Sequence, residues 1–169
     1  MTTAGAPLRV CFVCTGNICR SPMAEQVFRA RLAEAGLAGL VEVDSAGTGG
    51  WHEGDGADGR TVAVLEAAGY TAVHTARQFR PAWFASRDLV VALDAGHLRA
   101  LRRLAPTAED AAKVRLLRSF DAALPVGADL DVPDPYYGGR EGFEECLEMC
   151  EAACEGLLDT VRQQLAARR

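Results

Sequence analysis

The sequence of 169 residues lacks the features of a membrane, secreted or nucleic-acid-binding protein. No segment approaches the ~18 consecutive apolar residues of a membrane span. Arg9, Asn17 and Arg20 interrupt the apolar run near the N-terminus, so we expect no signal peptide, no membrane partner and a cytoplasmic location. The net charge of −5, from 18 basic and 23 acidic side chains, argues against a nucleic-acid partner.

The six cysteines would permit three disulfides in a secreted chain, but we expect neither a disulfide framework nor a metal site. Cys11 and Cys14 are three residues apart on a predicted strand, so their side chains point to opposite faces and cannot share one metal ion with Cys19. The chain length and the apolar half of the composition favour reduced cysteines, and we expect no metal. Three further cysteines recur every four residues on a predicted C-terminal helix, where they are typical of core positions: Cys146, Cys150 and Cys154.

The most informative segment is residues 8–22, where a predicted buried strand passes through a loop into a helix. The apolar run 10–14 indicates the strand. Ser21 as N-cap and Pro22 at the first helical position predict the start of the helix. Cys14 and Arg20, separated by five residues, therefore bracket a loop between a strand and a helix.

Such a loop closes around a tetrahedral oxyanion. Its backbone amides converge at the positive end of the helix dipole, Gly16 allows close approach, and the Arg20 guanidinium binds two phosphate oxygens at once. Cys14 then lies in electropositive surroundings, which favour the thiolate that attacks phosphorus. The spacing therefore predicts a phosphate-cleaving thiol that needs no cofactor.

The stretch Val13–Glu25 reads V-C-T-G-N-I-C-R-S-P-M-A-E and resembles the signature of the low-molecular-weight protein tyrosine phosphatases. The resemblance extends from about residue 8 to about residue 165. It implies hydrolysis of protein phosphotyrosine and of aryl phosphate monoesters through a phosphocysteine intermediate. The further matching segments, in the order of the family, are Ser45–Thr48, Trp51–His52, Asp58–Arg60, His74–Gln78, Ala92–Asp94 and Asp134–Tyr137.

Strand and helix patterns alternate along the chain, which predicts one α/β domain over residues 8–169 preceded by a flexible tail of residues 1–7. The resemblance implies a three-layer α/β/α, Rossmann-like fold with a four-stranded parallel sheet in the order 2-1-3-4. The glycine-rich segment 47–56 is predicted to form a flexible rim loop. Predicted strands lie near residues 8–14, 40–45, 88–93 and 113–117, and predicted helices near 21–36, 57–69, 95–104 and 141–166.

Thiolate attack on a phosphate monoester also requires a proton for the departing oxygen. Asp134 lies in the segment Val-Pro-Asp-Pro-Tyr-Tyr, where two prolines favour a stiff, extended backbone. Asp129 and Asp131 are nearby alternatives. The resemblance selects Asp134 as the general acid of the first step and, by the reverse proton path, as the base that activates water in the second.

The resemblance also implies a hydrogen-bond network beneath the loop, formed by Asn17, Ser21, Ser45 and His74. Asn17 tolerates the left-handed backbone that such a loop demands. The Ser21 hydroxyl is able to donate to the Cys14 sulfur. This network is expected to hold the shape of the loop.

Trp51, Tyr136 and Tyr137 are expected to enclose the aromatic ring of the substrate above the loop. We assign the remaining histidines, His52 and His97, structural roles. The implied partners are tyrosine-phosphorylated proteins, with inorganic phosphate as product and competitive inhibitor, and the expected state is a monomer. The predicted substrate-binding residues of the loop are Thr15, Gly16, Asn17, Ile18, Cys19 and Ser21.

Three other functions fit parts of the same pattern. An arsenate reductase of this scaffold needs two further cysteines on a downstream segment, but the chain has no cysteine between residues 20 and 145. A protein-arginine phosphatase has a polar residue after the loop asparagine, where this chain has the apolar Ile18. A phosphotyrosine-binding module would lack the residues that cleave the phosphate ester, yet Cys14 and Asp134 are both present.

Cys19 is a candidate for redox control of the site. Peroxide would convert a Cys14 thiolate to a sulfenic acid, which a second thiol could trap as a disulfide. Cys19, five residues away on the same curled loop, is that second thiol, unless it only fills space beneath the loop.

Overall fold

The computed structural model describes residues 6–168 and contains a four-stranded parallel sheet in the order β2-β1-β3-β4. This order confirms the predicted α/β fold. The strands are β1 (Leu8–Cys14), β2 (Val41–Gly47), β3 (Leu89–Ala92) and β4 (Val114–Leu116). The helices are α1 (Arg20–Glu34), α2 (Gly59–Ala67), α3 (Ala95–Leu104), α4 (Ala108–Ala112) and α5 (Arg140–Ala167), with 3-10 helices at Pro81–Ser86 and Leu117–Phe120.

Helices cover both faces of the sheet, because alternate side chains of β1 are buried on opposite sides. On one face Phe12 packs edge-on against Phe28 of α1, with the ring centres 5.8 Å apart, in a core that α5 also lines. On the other face Val13 shares a core with Phe84 and with Leu101 of α3. The result is the expected three-layer, Rossmann-like arrangement.

The cysteines outside the loop are buried as expected. Cys11 lies in the core on one face of the sheet and Cys14 borders the core on the other, as their spacing predicts. The three cysteines of α5 belong to the same core as Cys14, and all six cysteines of the chain are free. Within residues 6–168, no helix has the length and apolar character needed to cross a bilayer.

The predicted start of α1 is wrong. The helix begins at Arg20, with Cys19 at the N-cap and no side-chain capping bond, so Ser21 lies inside the first turn. The Ser21 hydroxyl is turned toward Cys14 instead of toward the helix amides. Pro22 is tolerated at the third helical position because the first four N–H groups of a helix have no partner within the helix.

Strand β2 and helix α4 also differ from the prediction. Strand β2 continues to Gly47, because Ala46 and Gly47 still pair with the last residues of β1. The short helix α4 was not predicted, because it buries no residue and so has no apolar periodicity, although Thr107 caps it by accepting a hydrogen bond from the Asp110 N–H. Residues 1–5 of the predicted tail lie outside the described residues.

Candidate active site

The loop of residues 15–19 joins β1 to α1 at the carboxyl edge of the sheet, where β1 lies between β2 and β3. Connections from neighbouring strands diverge at such a point and leave a crevice for a ligand. Gly47 at the end of β2 lies directly beneath the loop. A Cβ atom on Gly47 would be 2.6 Å from the Thr15 carbonyl oxygen, so this position requires glycine.

Asn17 holds the loop in its unusual shape. Its φ of 59° is left-handed, as predicted, and its side chain is fully buried. Its Nδ2 donates to Ser21 Oγ (2.8 Å) and Ser45 Oγ (2.9 Å), and its Oδ1 accepts from the Arg77 N–H (2.9 Å). His74 Nε2 donates to the Asn17 carbonyl at 2.6 Å. The four residues of the predicted network are therefore in contact, and their bonds offset the cost of the strained backbone.

The network continues to Glu25, which the sequence analysis did not assign. Ser45 accepts from Asn17, so its own proton goes to Glu25 Oε1 at 2.6 Å. Glu25 is buried in α1, and its Oε2 accepts from Arg29 Nε (2.9 Å) and Nη2 (2.7 Å). Burial lowers the pKa of His74, so its ring is neutral with the proton on Nε2. An acidic residue on the buried side of a helix was the signal available in the sequence.

The Cys14 sulfur is held by the same network. Ser21 Oγ lies 2.9 Å from Cys14 Sγ and already accepts the Asn17 amide. Its single proton is therefore free for the sulfur, with the more distant Ala46 carbonyl (3.4 Å) as the competing acceptor. A hydrogen bond donated to sulfur favours the thiolate over the thiol.

Arg20 is anchored from the side opposite the loop, with a side chain only 4% exposed. Its Nη1 donates to Asp94 Oδ2 and to the Val132 carbonyl, both at 2.9 Å, while Nη2 lies 3.8 Å from Asp134 Oδ2. Burial by itself lowers the pKa of Arg20, but the negative charges of Cys14, Asp94 and Asp134 outweigh it and raise the pKa. The guanidinium is thus charged and fixed in orientation.

His97 belongs to the site, so the structural role assigned to it is incomplete. Its Nε2 lies 2.8 Å from Thr15 Oγ1 and 3.5 Å from Arg20 Nη2, and its Nδ1 lies 3.2 Å from Asp94 Oδ1. Burial, reinforced by the charge of Arg20, lowers the pKa of His97 to about 4. A neutral ring whose Nε2 accepts from Thr15 Oγ1 and Arg20 Nη2 fits these contacts, whereas Nδ1 is buried near Asp94 without forming a hydrogen bond to any described residue. Asp94 is the N-cap of α3; it belongs to the matching segment Ala92–Asp94, for which the sequence predicted no role.

The acid loop, which we define as residues 132–139, brings Asp134 to the same crevice. Asp134 is partly exposed, and its Oδ1 accepts from the Tyr136 N–H at 3.1 Å. The alternative Asp131 instead accepts from the Ala95 N–H at 2.8 Å at the start of α3. Asp129 accepts from the Asp131 N–H at 2.9 Å. Of the three aspartates, only Asp134 lines the cavity beside Cys14 and Arg20.

These side chains surround a cavity of about 220 Å³. His52 lines it, and its ring covers Gly16, where an added Cβ would lie 3.0 Å away, so His52 also forms part of the site. The Asn17 and Ser21 side chains, predicted to bind substrate, are buried behind the loop instead. The predicted residues that line the cavity are Cys14, Thr15, Gly16, Ile18, Cys19, Arg20, Trp51, Asp134, Tyr136 and Tyr137.

A thiol at the base of an oxyanion-binding loop, on a parallel α/β sheet, defines the class of cysteine-dependent phosphatases. Residues 9–167 match the family described as low molecular weight phosphotyrosine protein phosphatase. A low molecular weight protein-tyrosine-phosphatase of Streptomyces coelicolor is 74% identical over 160 residues, which are 95% of this chain and 97% of that protein.

Two further relatives agree. Low molecular weight protein-tyrosine phosphatase A of Mycobacterium tuberculosis is 52% identical and covers 95% of each chain. The crystal structure of a protein tyrosine phosphatase from Entamoeba histolytica superposes with a TM-score of 0.87 at 33% identity, over 93% of this chain and 98% of that one. The chain therefore belongs to the low-molecular-weight phosphotyrosine protein phosphatase family. It is a hydrolase of protein phosphotyrosine with the cysteine-based mechanism of that family.

Proposed function

We propose that Cys14 is the nucleophile, that Arg20 and the loop amides bind the transferred phosphoryl group, and that Asp134 is the general acid and base. The observation that carries this assignment is their convergence on one cavity. The Ser21 hydroxyl lies 2.9 Å from the Cys14 sulfur and stabilises it, and the Asp134 carboxylate lies 3.8 Å from the Arg20 guanidinium. Attack, charge stabilisation and proton transfer each have a group in position.

In the first step the Cys14 thiolate attacks phosphorus and the bond from phosphorus to the tyrosine oxygen breaks. Asp134 in its protonated form gives its proton to that departing oxygen, so the product is neutral tyrosine. The phosphoryl group is left on sulfur. Arg20 Nη2 and the loop N–H groups receive the negative charge of its oxygens.

In the second step Asp134, now a carboxylate, takes a proton from a water molecule that attacks the phosphocysteine. The phosphorus–sulfur bond breaks, inorganic phosphate forms and the thiolate returns. The Ser21 hydroxyl, 2.9 Å from the sulfur, stabilises this leaving group. Because phosphate binds the same amides and guanidinium as the substrate, it is a competitive inhibitor.

The substrates we propose are proteins phosphorylated on tyrosine. The sulfur is nearly buried, whereas Trp51 and Tyr137 are 74% and 91% exposed, so the cavity is deep and has an aromatic rim. Ile18 adds an apolar wall. A phosphotyrosine ring fits between these groups and brings its phosphorus to Cys14, while the shorter phosphoserine does not reach. The six free cysteines suit a reducing compartment, and we propose the cytoplasm as the location.

The test compares peptides of one sequence that carry phosphotyrosine, phosphoserine or phosphoarginine, assayed with EDTA present. We expect hydrolysis of the phosphotyrosine peptide, unaffected by EDTA, and much slower hydrolysis of the other two. Faster hydrolysis of the phosphoarginine peptide would reassign the substrate. Loss of activity in EDTA would contradict a metal-free mechanism.

A further inference from the structure

Arg60 connects the motif Asp58–Arg60, which has no part in the steps above, to the acid loop. Its Nη1 donates to the carbonyl oxygens of Tyr136 (3.0 Å) and Gly138 (3.3 Å). Its Nε and Nη2 bind the two carboxylate oxygens of Asp58, each at 3.0 Å. We propose that Arg60 is a positioning residue that holds the acid loop with the Asp134 carboxylate directed at the leaving group.

One side of Arg60 is attached to fixed parts of the fold. Asp58 is the N-cap of α2, and its N–H donates to the Ile18 carbonyl of the phosphate-binding loop at 2.8 Å. The bonds from Arg60 lower the pKa of Asp58, which keeps this partner ionised. The Arg60 guanidinium carbon also lies 4.5 Å from the centre of the ring of Phe143, a fully buried residue of α5. Arg60 is thus tied to the phosphate-binding loop and to the core.

The other side of Arg60 contacts Tyr136, two residues after Asp134. The guanidinium lies 5.3 Å from the Tyr136 ring centre and bonds the Tyr136 carbonyl, while the Tyr136 N–H bonds Asp134 Oδ1. Within the described residues 6–168, no other side chain outside the acid loop forms a hydrogen bond to residues 135–138. Arg20 holds the acid loop before Asp134, at the Val132 carbonyl, and Arg60 holds the part that follows Asp134, so the orientation of Asp134 depends in part on Arg60.

The inference rests on the proposed role of Asp134 and predicts a specific kinetic signature. Without Arg60 the acid loop samples other positions, and Asp134 is less often in place to donate its proton. The resulting loss of rate cannot exceed the contribution of the general acid itself, which is about 10²- to 10⁴-fold. The rate decreases for substrates whose departing oxygen needs that proton, and it changes little for substrates with a good leaving group.

The test uses Arg60→Met, which keeps an apolar stem between the Tyr136 and Phe143 rings but removes every N–H donor. Arg140→Met is the matched control, because Arg140 is 59% exposed and its ion-pair partner is Glu144, at 3.9 Å. We expect Arg60→Met to lower kcat/KM, which reports only the steps up to departure of the leaving group, about tenfold on phenyl phosphate and less than about threefold on p-nitrophenyl phosphate. The control should leave both rates unchanged, and Arg60→Lys should fall between wild type and Arg60→Met. Thermal unfolding checks that each variant is folded.

A double-mutant comparison separates positioning from a general structural effect. In the Asp134→Asn background, Arg60→Met should add no further loss on phenyl phosphate, because the proton donor is already gone. Equal losses on the two substrates, or a loss that adds to that of Asp134→Asn, would overturn the role of Arg60. If Asp134→Asn itself lowers both rates equally, the assignment of the acid fails, and the role of Arg60 fails with it.

Discussion

Replacing Arg20 with lysine tests whether charge alone or the shape of the guanidinium stabilises the transition state. In the native site Nη1 donates to Asp94 and to the Val132 carbonyl, both at 2.9 Å. Nη2 has longer contacts, with Thr15 Oγ1 at 3.4 Å and His97 Nε2 at 3.5 Å, and we expect Nη2 and Nε to bind the oxyanion. Lysine has a single nitrogen. Between the same two acceptors one of its three N–H groups is left, and it lies at the position of Nη1, not of Nη2 and Nε, so the phosphoryl oxygens lose their paired partner although the charge is retained.

The expected loss follows from the number of bonds removed. A hydrogen bond to a charged group contributes about 1.5–3 kcal/mol. We expect the Arg20 guanidinium to form two such bonds with the phosphoryl oxygens, so their loss removes about 3–6 kcal/mol of transition-state stabilisation. Each ~1.4 kcal/mol is a factor of ten in rate. We therefore expect Arg20→Lys to lower kcat/KM by about 10²- to 10⁴-fold.

The assay is kcat/KM on p-nitrophenyl phosphate, with thermal unfolding to show that the variant folds. Arg80→Lys is the matched control, because Arg80 is 58% exposed and its ion pair is with Glu53 at 3.3 Å. A kcat/KM for Arg20→Lys within about threefold of wild type would refute the argument that fork geometry matters.

Three further predictions concern the nucleophile, a buried histidine and oxidation. Cys14→Ser should retain less than ~1% of turnover yet still bind phosphotyrosine peptide in calorimetry, because only the attacking atom is lost; higher turnover excludes Cys14. Burial, reinforced by Arg20, lowers the pKa of His97 to about 4, whereas unfolded histidine titrates near ~6.5. The unfolded state then binds more protons, so the free energy of unfolding of the wild type should rise by up to about 3 kcal/mol from pH 4 to 6.5. It should rise less in His97→Gln, and an equal rise in the two proteins would contradict this role of His97. After peroxide and reductant, wild type should regain activity through a Cys14–Cys19 disulfide seen in peptide maps, and Cys19→Ser should not; equal recovery removes Cys19 from the mechanism.

The candidate nucleophile and its binding loop could be predicted from the sequence because their geometry is local. Cys14 and Arg20 lie on one strand–loop–helix segment, so their spacing alone brings sulfur and guanidinium to one oxyanion site. The left-handed position of Asn17 and the alternation of β1 are equally local. The position of Ser21 was misjudged, because the cap preference of serine competes with a hydrogen bond to the sulfur that only the folded loop offers.

The groups that orient these residues were decided by the tertiary structure. Arg20 is fixed by Asp94 and by the carbonyl of Val132, which lies 112 positions further along the chain. His97 and Glu25 join the site through contacts with residues that are distant in sequence. Each of these bonds depends on how parallel strands and their crossovers bring separate segments to one edge of the sheet. Local spacing carries no information about these contacts, because they form between segments that only the tertiary arrangement of the chain brings together.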